Sequence, residues 1–228
     1  MKVCNLKIIV TLFFSAFILF NACDSTQPDQ TSLSLSFATE TTVPKLISTN
    51  EEFQIEEVKL LIRNIKIKNQ SEEDSLQVKT GPIVVNLNLD GKLTEFAATE
   101  IPAGNYNRVR FEIHKIEDSE VPPDAEFKEG LESSKRYSVI VKGLLNGETF
   151  TYKSRKSAVQ DVKLETDIIV EENEDANLTI NVNPYSWFYD ESQFLNPNET
   201  SNESKIDNNL QYAFKNAYKD NDHDGVSD

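Results

Sequence analysis

Apolar and polar residues alternate along most of this chain with a period of two. Leu33, Leu35 and Phe37 stand between Ser and Ala, the spacing of a half-buried strand. In "FQIEEVKLLIRNIKIKN" the same period runs through Phe53 and Ile55, then Val58, Leu60 and Ile62, then Ile65 and Ile67. The two slips of phase predict bulges or a break between two strands, and the density of β-branched residues argues against a helix. "GPIVVNLNLDG" supplies another strand between Gly81-Pro82 and Asp90-Gly91. Val109, Phe111 and Ile113 face one way, with Arg108, Arg110 and Glu112 opposite. Tyr137, Val139 and Val141 lead into Asn146-Gly147, a strong hairpin signal between apolar runs. Val162 and Leu164, Ile168 and Val170, and Leu178, Ile180 and Val182 give the last strands, with "EENEDAN" as an acidic turn. The expected architecture over residues 33–189 is all-β: an antiparallel β-sandwich or partly open barrel of roughly eight or nine strands.

At Asp190 the composition changes. "DESQFLNPNETSNES" is polar, contains Pro197 and reads as a loop. Ser204 then caps a helical pattern with Asp207 at its third position, and Ile206, Leu210, Ala213, Phe214 and Ala217 share one side. The spacing predicts a short helix over 205–217 that runs straight into an Asp-rich loop, so residues 190–228 are expected to follow the β-domain as loop, helix and ion-binding element.

The other end has a different pattern. Lys2 and Lys7 precede thirteen mostly apolar residues, Ile8 to Phe20, and Ala22 stands directly before Cys23. This is the order of a secretory signal over residues 1–22, too short to span a membrane, which takes about 20 apolar residues. Cys23 at the expected cleavage point resembles the lipobox of bacterial lipoproteins, in which that residue is acylated; Phe20 and Asn21 depart from the usual Leu and small residue. An ordinary secreted protein with a free thiol and an uncleaved anchor are the alternatives. Residues 23–32 would be a lipidated tether. The expected address is the bacterial cell envelope, with the outer membrane preferred over the inner, although Asp24 is an acidic second residue of the kind that in some Gram-negative bacteria retains a lipoprotein at the inner membrane.

Charge narrows the partners. The formal net charge is −15, and losing residues 1–22 removes two lysines and no acid, leaving −17. Such a surface repels phosphate backbones, so nucleic acid is excluded and divalent or cationic partners are favoured. Cys4 leaves with the signal and Cys23 would be acylated, so no disulfide forms within the mature chain.

"VKLLIRNIKI", "IVVNLNLDGKLTEFAATE" and "EIPAGNYNRVRFEI" together resemble an uncharacterised group of bacterial envelope lipoproteins known only as a domain of unknown function. The resemblance covers about residues 53–116 and rests on Pro102, Ala103, Gly104 and Tyr106, followed by Arg110 in a strand. It implies a β-rich envelope lipoprotein and transfers no activity. Physically, Pro-Ala-Gly reads as a tight turn, with Gly104 available for positive φ and Tyr106 packing as the strand begins.

Two stretches carry candidate chemistry. In "DNDHDGVSD", Asp220, Asp222 and Asp224 occupy positions 1, 3 and 5 of a calcium loop, Gly225 position 6, Val226 offers a carbonyl at 7 and Asp228 stands at 9. The bidentate Glu at position 12 and the exit helix of an EF-hand do not follow, which points to weak calcium binding, with a dissociation constant of about 0.1 to 1 mM; the bland alternative is a solvated acidic tail. His223 is given no ligand role. In "NPYSWFYD", an extended backbone puts Tyr185, Trp187 and Tyr189 on one face, either packed into the fold or exposed as a platform for sugar rings.

Catalytic material is sparse. His114 is expected at the surface, and neither a nucleophile motif nor a phosphate-binding Gly loop occurs. The expected function is therefore binding or structural rather than enzymatic: a lipid-anchored envelope protein with a calcium site, touching a membrane through its anchor and a glycan or an envelope protein through its domain. Carbohydrate capture by the aromatic stripe is the alternative. A glycoside hydrolase, for which no acidic pair is singled out by spacing, is third.

Overall fold

The structure, a computed structural model, describes residues 31–41, 52–69, 75–191, 193–214 and 216–228. Residues 1–22, Cys23 and most of the expected tether lie outside them.

The strands, in chain order, are β1 (Thr31–Thr39), β2 (Phe53–Asn69), β3 (Ser75–Lys79), β4 (Ile83–Asn86), β5 (Thr94–Ile101), β6 (Gly104–Ile113), β7 (Val139–Leu145), β8 (Glu148–Ser154), β9 (Ala158–Val170) and β10 (Ala176–Val182). A short 3-10 helix, Pro184–Phe188, leads to the small ribbon of β11 (Tyr189–Asp190) and β12 (Gln193–Phe194). The one α-helix among the described residues, α1 (Glu203–Gln211), and then β13 (Ala217–Lys219) follow. Eleven strands form one large curled sheet, nine of them in the order β5-β1-β10-β13-β9-β6-β2-β7-β8, with β3 and β4 also pairing with β2. The curl brings β5 against β3 and β4.

The fold is mostly strand, as the alternation predicts, but it is not purely antiparallel. β1 pairs with β10 and β13 pairs with β9 in parallel. Parallel neighbours cannot be joined by a tight hairpin, and here most of the domain intervenes between β1 and β10. The two phase slips expected around residues 53–67 are bulges in one long strand. β2 stays continuous while its register shifts between Ile55 and Glu57 against β7 and between Arg63 and Lys66 against β6. Asn146 and Gly147 both take positive φ (55° and 80°), the two-residue turn that suits the twist of the β7–β8 hairpin.

Alternation places the core. Leu33, Leu35 and Phe37 are fully buried, and Phe37 stacks on Phe96 with centroids 4.3 Å apart while Phe111 and Phe214 meet it at steeper angles. Each such ring removed from water contributes about 1.5–3 kcal/mol. Leu60, Leu61 and Ile62 are all buried because the segment after β6 crosses the outer face of β2, closing a second small core of Leu61, Ile116, Phe127 and Ile140. Lys59 ties the same segment down, bonding Asp124 and Glu126 at 2.8 Å each. Its ammonium holds the Asp124 carboxyl below the ordinary value of 3.8.

The "PAG" stretch turns as expected, but without positive φ at Gly104. A Cβ there would make only ordinary contact with the Tyr106 ring at 3.8 Å. Tyr106 is buried and donates its hydroxyl to the Pro102 carbonyl at 2.8 Å, closing the turn across its own side chain.

The C-terminal segment is built into the sheet. The helix starts at Glu203, one residue before Ser204, and ends at Gln211. Ala217 lies on β13, where it pairs with Ile180 and Leu164, so the predicted helix over 205–217 is too long by its last turn and a half. Ladder hydrogen bonds to β10 take over where the helical spacing would continue.

Candidate functional site

Between β10 and the Asp-rich loop a chain of hydrogen bonds runs across the face of the sheet. Ser34 and Ser36 on β1 donate to Asn177 Oδ1 at 2.8 and 3.1 Å. Asn177 spends both amide protons, one on Thr179 Oγ1 at 3.0 Å and one on the Asp220 carbonyl at 2.9 Å. Thr179 passes its own proton to Asp220 Oδ2 at 2.7 Å. Every donor in this ladder is committed, and it ends on a carboxylate.

Asp220 is fully buried. Its Oδ1 accepts from the Asp224 N–H at 3.0 Å and its Oδ2 from the Gly225 N–H at 3.2 Å, besides the Thr179 hydroxyl. These bonds wrap the loop around the carboxylate, and Gly225 at φ 84° and His223 at φ 58° make the sharp bends. Tyr218 donates its hydroxyl to the Gly225 carbonyl at 2.5 Å. Burial, and then the charge of Asp220, pushes that phenol up to about 12.

One carboxylate oxygen each from Asp220, Asp222 and Asp224 lie within 4.8 Å of one another. Two oxygens on one calcium ion, each at about 2.3–2.6 Å, sit no more than about 5 Å apart, so the three acids fit a common ion. No Lys or Arg makes an ion pair with Asp220 among the described residues. Buried charges in proteins are paired, hydrogen-bonded or bound to metals, and this one is hydrogen-bonded only.

Asp228 and Val226, the other two ligands expected from the sequence, flank this trio. Asp228 is not part of the converging trio; its Oδ2 accepts from the Asn221 N–H at 2.8 Å and its own N–H bonds the Lys219 carbonyl at 3.1 Å, folding the loop back on β13. Val226 is exposed, and its N–H caps Asp224 Oδ1 at 2.8 Å. His223 stays outside the trio.

The aromatic stripe does not exist as a platform. Asn183 Oδ1 accepts from the Tyr185 and Ser186 N–H groups and Pro184 follows as the first helical residue, so "PYSWF" coils into a 3-10 helix instead of extending. Tyr185 and Tyr189 are buried and Trp187 is fully so, without a hydrogen-bond partner for its indole N–H among the described residues. Phe53, Phe150 and Phe194 pack around Tyr185, Phe188 and Tyr189.

A family described as a domain of unknown function (DUF4382) matches residues 41–197. The chain belongs to it. No curated protein and no solved structure matches. The DUF4382 segment contains the Pro-Ala-Gly turn and the whole run from β2 to the β11–β12 ribbon, whereas β1, α1, β13 and the acidic loop fall outside it.

Within the DUF4382 segment one polar cluster escaped the sequence reading. His114 is 1% exposed, not a surface residue. Its Nε2 lies 2.6 Å from Glu120 Oε2 and its Nδ1 has no hydrogen-bond partner among the described residues. The side chain turns inward because the strand ends at Ile113 and the following segment folds over it. Glu117 joins His114 and Glu120 closely enough to hold an ion, but Arg63 already supplies the positive charge, reaching Glu112 at 2.8 Å and Glu117 and Glu120 at 3.4 Å. Burial presses the Glu112 carboxyl up, and the Arg63 guanidinium overrides it and holds the group below its ordinary range. The cluster ties β2, β6 and the crossing segment together.

Proposed function

We propose that this DUF4382 chain is a lipid-anchored envelope protein with a binding or structural role, and that calcium fastens its C-terminal loop. The calcium reading is carried by the Asp220 carboxylate, fully buried and joined by Asp222 and Asp224 with no cationic side chain paired to it among the described residues. Three formal negative charges so close together repel one another, and a divalent ion removes that cost. On a protein of net charge −15 it also relieves part of the general repulsion. Asp220 would be the inner ligand, oriented by Thr179 and the loop N–H groups, with Asp222 and Asp224 closing from the solvent side.

The anchor rests on the sequence before Cys23. An acylated Cys23 would hold the domain at a membrane, outside the cytoplasm, where a calcium site of millimolar affinity is filled.

Calorimetric titration of calcium into the protein tests the first part: heat fitting one site, absent when Asp222 and Asp224 are both changed to Ala, supports it, and no heat up to roughly 10 mM sinks it. Incorporation of labelled palmitate in a bacterial host, abolished in Cys23→Ser, tests the anchor independently.

A further inference from the structure

Away from the acidic loop, where the ends of β1 and β10 meet the 3-10 helix and the C-terminal end of α1, the surface opens into a cavity of about 330 Å3. That is within the roughly 300–1,000 Å3 of small-molecule sites. Its lining is unusual in kind: Asn181, Asn183, Asn209 and Asn216 contribute four carboxamides, Tyr212 an aromatic ring and Glu40 a single charge. No Lys, Arg or His lines it among the described residues.

The amides are not equivalent. Asn209 commits both Nδ2 protons, to the Trp187 and Tyr189 carbonyls at 2.9 and 2.8 Å. Its Oδ1 is left as an oriented acceptor. Asn181, also in the lining, lies with its Oδ1 3.0 Å from the Tyr218 hydroxyl. Asn216 is exposed, and Tyr212, 70% exposed, presents its ring beside the opening.

We infer that this cavity binds a neutral saccharide of one or two sugar rings. A sugar hydroxyl donates and accepts; Asn209 offers it an acceptor, and the exposed Asn216 carboxamide offers both functions from adjacent atoms. The apolar face of a pyranose needs a flat ring to cover it, which Tyr212 supplies where water reaches. Acidic or phosphorylated sugars are disfavoured, since the described lining has no cation and the chain carries −15. The buried aromatic stripe plays no direct part in contact. The Trp187 backbone carbonyl is nevertheless held by Asn209 of the cavity wall, and Trp187 is the only Trp in the chain.

Trp fluorescence therefore reads the site. The full chain, kept in a detergent without a sugar headgroup, is titrated with glucose, galactose, N-acetylglucosamine, maltose and cellobiose, with saturation-transfer NMR on the same samples. A saturable change for at least one of them, weakened tenfold or more in Tyr212→Ala and in Asn216→Ala with unchanged melting temperatures, is the expected result. Both positions are exposed, so folding is not at stake. Three outcomes overturn the inference: no saturable signal up to roughly 10 mM, binding that survives both substitutions, or binding confined to charged sugars tested alongside.

Discussion

Asp207 is a buried acid on α1 that points at a strand rather than at solvent. It is 3% exposed and accepts from the Tyr152 hydroxyl at 2.8 Å and the Ser154 hydroxyl at 2.6 Å. These two bonds fix how the helix sits on β8. Tyr152→Phe keeps the ring and its edge contact with Phe188 but strands the carboxylate with one donor fewer. Removing one partner of a buried group costs about 1–3 kcal/mol, and urea unfolding near neutral pH should show a loss of that size. The pH dependence has a definite sign. Burial, and then the charge of Asp207, holds the Tyr152 phenol far above its ordinary 10. Its contribution is therefore whole below about pH 10 and declines as the pH rises beyond, where the unfolded chain ionises first. The wild-type and Phe curves should accordingly converge above pH 10, and parallel curves would contradict the assignment.

At the scale of elements, the β2 bulge and Gly143 depend on each other. A Cβ on Gly143 would lie 2.0 Å from the Gln54 carbonyl oxygen and 2.9 Å from the Phe150 ring, just where the register of β2 against β7 slips between Ile55 and Glu57. Glycine in a strand interior marks such close approaches. Gly143→Ala should cost at least the 1–3 kcal/mol typical of overpacking, read as a lower thermal midpoint and earlier hydrogen exchange in β7. The bulges themselves were legible, because a phase slip is a local signal. Strand order was not: whether β1 meets β10 head to head or head to tail is decided by contacts across the whole domain. β13 was misread because Ala213, Phe214 and Ala217 satisfy helical spacing, and three residues are too few to display alternation. The aromatic segment did carry its signal in Asn183-Pro184, a cap followed by the residue that favours a first helical position. Asp220, Asp222 and Asp224 stood out by spacing. The supporting Asn177 and Thr179 did not, since polar residues on alternate positions of a strand ordinarily mean a wet face.

Over the whole molecule, the proposed calcium ion would act on the sheet, since Asp220 directly follows β13. With a dissociation constant of about 0.1 to 1 mM, about 10 mM calcium stabilises the folded chain by roughly 1.4–2.7 kcal/mol. For a protein of this size that raises Tm by about 3–10 °C. Magnesium, which demands tighter octahedral geometry, should do less, and the Asp222/Asp224 double variant should show no calcium response; equal shifts in both proteins would mean general charge screening. β9 and β10 are neighbours in sequence but not in the sheet, and β13 lies between them. Without it, two strands would face each other across an open slot with unpaired backbone groups, the kind of edge that invites foreign strands. The sheet is thus closed in its middle by the last strand of the described chain, as a keystone closes an arch. A protease that severed the chain just before Ala217 would remove an interior support rather than trim a tail.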